Sequence, residues 1–480
     1  MMMKRLPFSR LISTLLLAVF LLGLTPARAA AEGRLIVRAG GLVSGLPVVK
    51  SACRILGCNV LYALDGTLNN VLLIAVPDVL DLQILARLLS LVPGIVDVEV
   101  DQVVYTESGG GAAVPTALLD KTPVDYYGTT VRRGYVQQPA FAILGLEDAH
   151  QRYGLTGHGI TVAVIDTGVD TSHPVLEPWL LPGYDFTRNR DGADERGDIS
   201  QSTMAILDQQ RPGAVNQSTM AILDQGRPGF VNQSTMAILD QSTMAILDGR
   251  PEYSAFGHGT LVAGVIHLAA PHAKILPLKT FKADGSGYLS DVLRALYYAS
   301  SKQAKVINMS FSFASKSREL ERALAYVASR GAIAVSSAGN DGRKTNVYPA
   351  SYSTVMGVAS TTNWDTLSEF SNFGTTVAWI AAPGEGIVST YPFNTYAAAW
   401  GTSFSTPFAA GVAALLAEGS AAITNQQAAD AAGTGAAWVS WEVKKGRLDA
   451  PAAIRAARKP LSGLTSGGLN FGGLLGGLLR

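Results

Sequence analysis

Three short stretches carry side chains that could do chemistry together: VAVIDTGVD with Asp166, FGHGTLVAG with His258, and GTSFSTPFAAGVAALL with Ser403. A carboxylate, an imidazole and a hydroxyl are the parts of an activated oxygen nucleophile. The imidazole takes the hydroxyl proton during attack, and the carboxylate orients the ring and stabilises its cation. Singly, each stretch has a plain structural reading: a strand-end cap, a turn histidine beside glycine, a helix cap. In the order Asp, His, Ser along one chain they match a known arrangement for serine nucleophilic catalysis.

Those residues need particular elements to hold them. Asp166 ends the apolar strand ITVAVID before a turn at Gly168, and in a parallel α/β sheet the C-terminal strand ends form the binding edge. His258 stands between two glycines, which allow close backbone approach, ahead of an apolar helix. Ser403 precedes a small-residue helix with Pro407 expected in its first turn, and the helix start favours developing negative charge. From Phe141 to about Ala456, the strand candidates ITVAVID, KILPLK, VINMS, AIAVSSAG and VMGVAS alternate with the helix candidates YLSDVLRALYYASSKQ and SRELERALAYVASR. This pattern implies an α/β fold, with a mostly parallel sheet flanked by helices on both faces. Residues 34–105 read as a smaller α+β unit, with strand RLIVRA, helix VLDLQILARLLSLV and closing strand VDVEVDQVVY.

Composition excludes several classes. The 480 residues are 48% apolar and 16% charged with net charge +1, and no Lys/Arg run follows the first ten residues. That is a globular chain with no electrostatic footprint for nucleic acid. Cys53 and Cys58 make no zinc pattern and read as two small buried residues or one local disulfide. Lys4, Arg5 and Arg10 precede the apolar run Leu11–Leu24, and Ala27–Ala29 supply small residues for cleavage. This is the order of a secretory signal peptide, and the run is shorter than the ~20 residues that span a bilayer. A secreted protein, extracellular or in the cell envelope, is expected.

The resemblance is wider than the three motifs. DTGVDTSHP, GHGTLVAG, KADGSGYLSDVLRAL, VINMSFS, VSSAGNDG, YPASY, FSNFG, APGEGIVST and GTSFSTP occur in the order found in subtilisin-like serine proteases. From about Leu144 to Leu448 the chain resembles this subtilase family, and residues 34–105, ending in VEVDQ, resemble its inhibitory pro-domain. The resemblance implies a subtilisin-like fold and a serine endopeptidase with an Asp166–His258–Ser403 triad. Asn340 would be the side-chain donor to the oxyanion, beside the Ser403 N–H. Gly285, Ser286 and Gly287 on one side, and Ser310, Phe311 and Ser312 on the other, would bind an extended protein or peptide substrate by strand addition. The implied organisation is a signal peptide (1–29), a pro-domain acting as intramolecular inhibitor (30–106), a linker (107–138), the catalytic domain (139–456) and a Gly/Leu-rich tail (457–480). A monomer without a stable membrane anchor is expected, with self-cleavage between about Tyr105 and Gly111. The alternative is a catalytically inactive subtilase-fold protein that binds a peptide or a surface.

Two departures from the family pattern stand out. Ser310 is followed by Phe311, Ser312 and Phe313 where the family commonly has Leu-Gly-Gly, so side chains replace backbone space in the groove. HPVL, with Val175, replaces the HPDL segment that carries a calcium-binding aspartate, and the loop after the histidine helix is missing. No cofactor and no calcium at the usual site are expected. Asp185, Asp191, Asp194 and Asp198 leave an oxygen-rich loop, read first as a solvated turn. Between Asp166 and His258, residues 201–248 form six eight-residue slots, four of them QSTMAILD. A period of eight suits strand plus turn better than helix, and the reading is a tolerated surface insertion rather than the machinery itself.

Overall fold

Apolar runs separated by turn residues fold into two units in the computed structural model, which describes residues 33–40, 45–77, 81–106, 115–199, 237–238 and 253–458. The expected signal peptide, the tail beyond residue 458 and nearly all of the repeat lie outside the described residues. The first unit contains β1 (Gly33–Ala39), a helix over Leu46–Leu56, β2 (Asn59–Ala63), β3 (Val71–Val76), a helix over Leu82–Ser90 and β4 (Ile95–Val100). Its sheet runs β2-β3-β1-β4, and β1 is antiparallel to both β3 and β4. Leu35, Ile36, Val37, Leu72, Leu73 and Ile74 are wholly buried there. The second helix starts at Asp81, whose carboxylate accepts the Ile84 N–H at 2.9 Å, a side-chain cap for an orphan donor. Cys53 and Cys58 are disulfide-bonded with Cα atoms 4.5 Å apart, the second of the two sequence readings.

The second unit opens with β5 (Val103–Thr106) and the hairpin β6 (Pro123–Tyr126) and β7 (Thr129–Arg132). Its main sheet uses β8 (Thr161–Asp166), β9 (Tyr184–Asp185), β10 (Arg190–Asp191), β12 (Lys274–Lys279), β14 (Val306–Met309), β16 (Ile333–Ser337), β17 (Val355–Thr361) and β18 (Ile380–Pro383). The order is β10-β9-β12-β8-β14-β16-β17-β18, parallel throughout except for β10 against β9. The chain runs from β8 to β12 on one side and then to β14 on the other. Its strand order therefore reverses at β8, the topology that opens a crevice at the C-terminal strand ends. The remaining strands are β11 (Ala237–Ile238), β13 (Ser286–Tyr288), β15 (Phe311–Ser312), β19 (Ile387–Tyr391) and β20 (Thr395–Ala399). β11 falls within the third QSTMAILD copy and pairs antiparallel with β20. The expected α/β architecture is present, and helix Thr402–Gly419 is buried along nearly its whole length.

The expected linker is a correction. Residues 116–138 are folded, and Leu118, Tyr126, Val131 and Tyr135 belong to the main core. Tyr126 and Tyr135 bury their rings while their hydroxyls donate to the carbonyls of Leu268 and Gly264, each at 2.6 Å. A tyrosine can close a core this way because its polar tip finds a partner. The hairpin turns on Tyr127 and Gly128 at φ 53° and 80°, a left-handed pair of the kind that matches strand twist. The Gly- and Ala-rich stretch just before it in the sequence, residues 107–114, masked these anchors.

His267 lies on helix His258–Ala269, wholly buried and stacked on Trp179 at 6.0 Å. Burial, with the nearby His272 charge, holds its imidazole down to about 3. The unfolded chain therefore takes a proton near the ordinary histidine value that the folded state refuses, so stability drops as pH falls from about 6.5 towards 3. His267→Phe should flatten part of that loss in thermal unfolding followed from pH 7 to 4 on a Ser403→Ala background. An unchanged slope would mean that other groups carry it.

Candidate active site

The carboxylate at the end of β8 and the histidine at a helix start meet as their motifs require. His258 Nδ1 lies 2.7 Å from Asp166 Oδ1, with both side chains almost fully buried. Asp166 Oδ1 also accepts the Thr167 N–H at 2.7 Å. His258 Nε2 is buried and has no hydrogen-bond partner among the described residues. The imidazole packs 5.3 Å from the Phe404 ring, beside Ser403. The flanking glycines have steric causes: a Cβ on Gly257 (φ 86°) would lie 2.1 Å from the Tyr391 ring, and one on Gly259 would lie 1.9 Å from the Gly168 carbonyl oxygen. Only glycine lets the histidine helix approach the aspartate turn this closely.

Ser403 is wholly buried in the first turn of helix Thr402–Gly419. Pro407 is not in that first turn, as expected, but in the second. Its missing N–H removes the bond that would normally end on the Ser403 carbonyl. Ser310 Oγ supplies the donor instead, at 2.8 Å, while Ser403 Oγ donates to the Ser310 carbonyl at 3.1 Å. Asn308 Nδ2 reaches Ser310 Oγ at 3.0 Å, so the whole arrangement is held from β14. Asn340 follows β16. Its Oδ1 accepts the Thr402 N–H and hydroxyl, both at 2.9 Å, which fixes the amide and makes Nδ2 its donor end.

The groove segments line up with an extended strand of the chain itself. β5 pairs antiparallel with β13 (Ser286 opposite Tyr105, Gly287 opposite Val104) and with β15 (Phe311 opposite Thr106, Ser312 opposite Tyr105). Gly285, at φ 79°, makes the turn that leads into β13. Side chains alternate along β5: Val104 is buried, Tyr105 is exposed. Asp101 anchors the strand's entry by accepting the Ser290 N–H and hydroxyl, each at 2.9 Å, at the start of helix Leu289–Ser301. Phe311 is wholly buried against Phe281 at 5.0 Å, so the aromatic departure in the groove fills space from below.

Three of the acidic-loop aspartates, Asp185, Asp194 and Asp198, are ion-paired. Arg188 pairs with Asp185 and Asp198, Arg196 with Asp194 and Asp170, and the buried Lys279 with Asp198 at 2.8 Å. Among the described residues, no cluster of three or more His, Cys, Asp or Glu side chains is arranged to hold a metal ion. Lys279 had no sequence signal beyond its place at a strand end. Its ammonium also donates to the carbonyls of Thr167 and Phe281, both at 2.6 Å, and so braces the turn after Asp166.

Residues 157–450 match the model of the subtilase peptidase family. The chain is 31% identical over 315 residues to thermitase of Thermoactinomyces vulgaris, covering 62% of this chain and 90% of that one. It is 33% identical over 259 residues to a thermophilic serine proteinase of a Bacillus species, covering 54% of this chain and 52% of that protein. A third relative, subtilisin BL of Lederbergia lenta, is 32% identical over 288 residues, with 58% and 83% covered.

Ser310→Ala should lower stability by about 1–3 kcal/mol, because it removes the hydroxyl that donates to the buried Ser403 carbonyl. Denaturant unfolding of the Ser310→Ala, Ser403→Ala double variant against Ser403→Ala alone measures this; equal midpoints would show that water replaces the hydroxyl.

Proposed function

Because the chain belongs to the subtilase family and is a serine endopeptidase, we propose that Asp166, His258 and Ser403 are its triad, that Asn340 is its oxyanion donor, and that it is made as an exported zymogen. The observation that carries this reading is the seating of β5. Residues 103–106 occupy the backbone edges of β13 and β15 that a substrate strand would use.

The reaction then follows from the geometry. An extended peptide adds its strand between β13 and β15, main chain to main chain. Ser403 Oγ attacks the scissile carbonyl while His258 Nε2 takes its proton. Asp166 Oδ1, bonded to Nδ1, holds the tautomer that leaves Nε2 as the base and stabilises the imidazolium. The oxyanion forms between Asn340 Nδ2 and the Ser403 N–H, both on buried residues. The imidazolium protonates the leaving amine, and a water molecule repeats the sequence on the acyl-enzyme. Nucleophile, base and oxyanion donors all come from the chain, so the chemistry calls for no cofactor. In the acidic loop, arginines supply the positive charge that a calcium ion would otherwise bring.

Residues 30–106 act as the intramolecular inhibitor, since β5 already fills the edges of β13 and β15 that a substrate strand would pair with. Cleavage between Tyr105 and Gly111 releases it, and the disulfide leaves with it. Among the described residues no helix is long and apolar enough to cross a membrane. Export rests on the N-terminal basic, apolar and small-residue order.

A fluorophosphonate probe should label the processed wild type stoichiometrically and leave Ser403→Ala unlabelled. No labelling of a folded form freed of residues 30–106 would overturn the reading and restore the inactive binding protein. Asn340→Ala should lower kcat by about 10²–10³ with little change in KM, read in steady-state peptide hydrolysis. N-terminal sequencing of the processed protein should begin between residues 106 and 111, and a start beyond residue 116 would break the zymogen scheme.

A further inference from the structure

Below the triad lies a carboxylate that the mechanism does not use. Glu195 begins the short turn Glu195–Asp198, which follows β10 and precedes the repeat, and its side chain is almost fully buried. Its Oε2 accepts the Thr167 hydroxyl at 3.0 Å and the Gly257 N–H at 2.9 Å. Its Oε1 accepts the Thr260 N–H at 3.3 Å and, more closely, the Thr260 hydroxyl.

The directions of these bonds are fixed by what else the threonines do. Thr167 Oγ1 accepts the Gly259 N–H at 2.9 Å, and Thr260 Oγ1 accepts the Asp170 N–H at 2.8 Å. Each hydroxyl oxygen is thus already an acceptor, and its proton points at Glu195. One carboxylate thereby holds the residue after Asp166, the residue before His258 and the residue two beyond it. It touches neither catalytic side chain. The Glu195–Gly257 bond also closes a sequence separation of 62 residues that contains the whole 201–248 repeat.

We propose that Glu195 is a positioning residue, which keeps the Asp166 turn and the His258 helix in one register independently of the repeat inserted between them. A buried carboxylate is costly to desolvate, and an apolar side chain of similar volume would leave the Thr167 and Thr260 hydroxyls and the Gly257 and Thr260 N–H groups without this acceptor. What it supplies is four directed acceptor positions shared between two catalytic segments, and an apolar residue has none. Misplacement of reacting groups by about 1 Å typically costs ~10²-fold in rate, so a clamp on register is worth its desolvation.

Ionisation tunes the clamp. Burial pushes the Glu195 carboxyl up to about 8, against the pull of the donors and of Lys279. The charged and titratable groups around it are Lys279 at the end of β12, Asp166 and Asp170 on the β8 side, His258 on its helix, and Arg196 and Asp198 on its own turn. The anion accepts all four donors; the acid must turn one proton towards a donor. The clamp is therefore complete on the alkaline side of about 8, and Glu195 should contribute a rise in kcat as pH increases through that region.

This rests on the triad assignment, so the test has an arm that does not. Glu195→Gln, with Glu195→Met as a volume-matched second variant, should lower kcat by about 10–100-fold with KM within twofold, and should lose the rise near pH 8. In proton NMR of the folded protein, the low-field resonance of the His258 Nδ1–H bond to Asp166 should shift or broaden. Shortening the chain by one 16-residue period, residues 217–232, should leave kcat within twofold when Glu195 is present and lower it further in Glu195→Gln. If the wild type does not turn over substrate, the triad reading falls and the NMR comparison alone decides the role of Glu195. The proposal is overturned if the variants fold with an unmoved low-field resonance, if kcat is unchanged, or if shortening the repeat acts equally with and without the carboxylate.

Discussion

The short bond between two buried polar side chains, Asp166 and His258, is the constraint the catalytic unit is built to satisfy. A carboxylate taken out of water is expensive unless a partner and further donors meet it at close range. Here the partner lies 92 residues away in sequence. Placing it demands that β8 end at the sheet's topological switch, that the turn after it be braced by the buried Lys279, and that a helix begin against that turn. The glycines on either side of His258 follow from the same demand, since any Cβ there would strike the Tyr391 ring or the Gly168 carbonyl.

The same logic couples nucleophile and groove. Pro407 takes one hydrogen bond out of the serine helix, and the carbonyl it releases belongs to Ser403 itself. Ser310 fills the vacancy, and its own carbonyl receives the serine hydroxyl. Ser310, just ahead of β15, is thus bonded twice to Ser403. A strand seated on β15 is held by a backbone whose position is already tied to the Ser403 hydroxyl, so the binding edge and that oxygen keep a common distance. β5, lying between β13 and β15, shows that these edges accept an extended segment.

Much of this was legible in the residues. Asp166, His258, Asn340 and Ser403 sit in short motifs whose composition is dictated by local sterics, so they can be read without coordinates. The α/β class follows from continuous apolar strands alternating with amphipathic helices. Misreadings fell where a local signal and a distant contact compete. Residues 116–138 look like a linker because they follow a Gly- and Ala-rich stretch and are poorly periodic, yet Tyr126 and Tyr135 anchor them through carbonyls of the histidine helix, more than 120 residues away. Pro407 read as a first-turn proline because the helix start could not be placed to within one turn.

The enzyme class, the residue types and order of the candidate site and the layering of sheet and helices were determined by the sequence itself, because each depends on side-chain type and on spacings within a single element. The tertiary structure alone decided which orphaned groups meet: Ser310 with the Ser403 carbonyl, Lys279 with the Asp166 turn, Glu195 with donors from both sides of the repeat. Such contacts are made between segments that neither resemble nor neighbour each other in sequence. A buried hydrogen bond is selected by whatever donor the packed backbone brings within about 3 Å, and no local pattern encodes that distance.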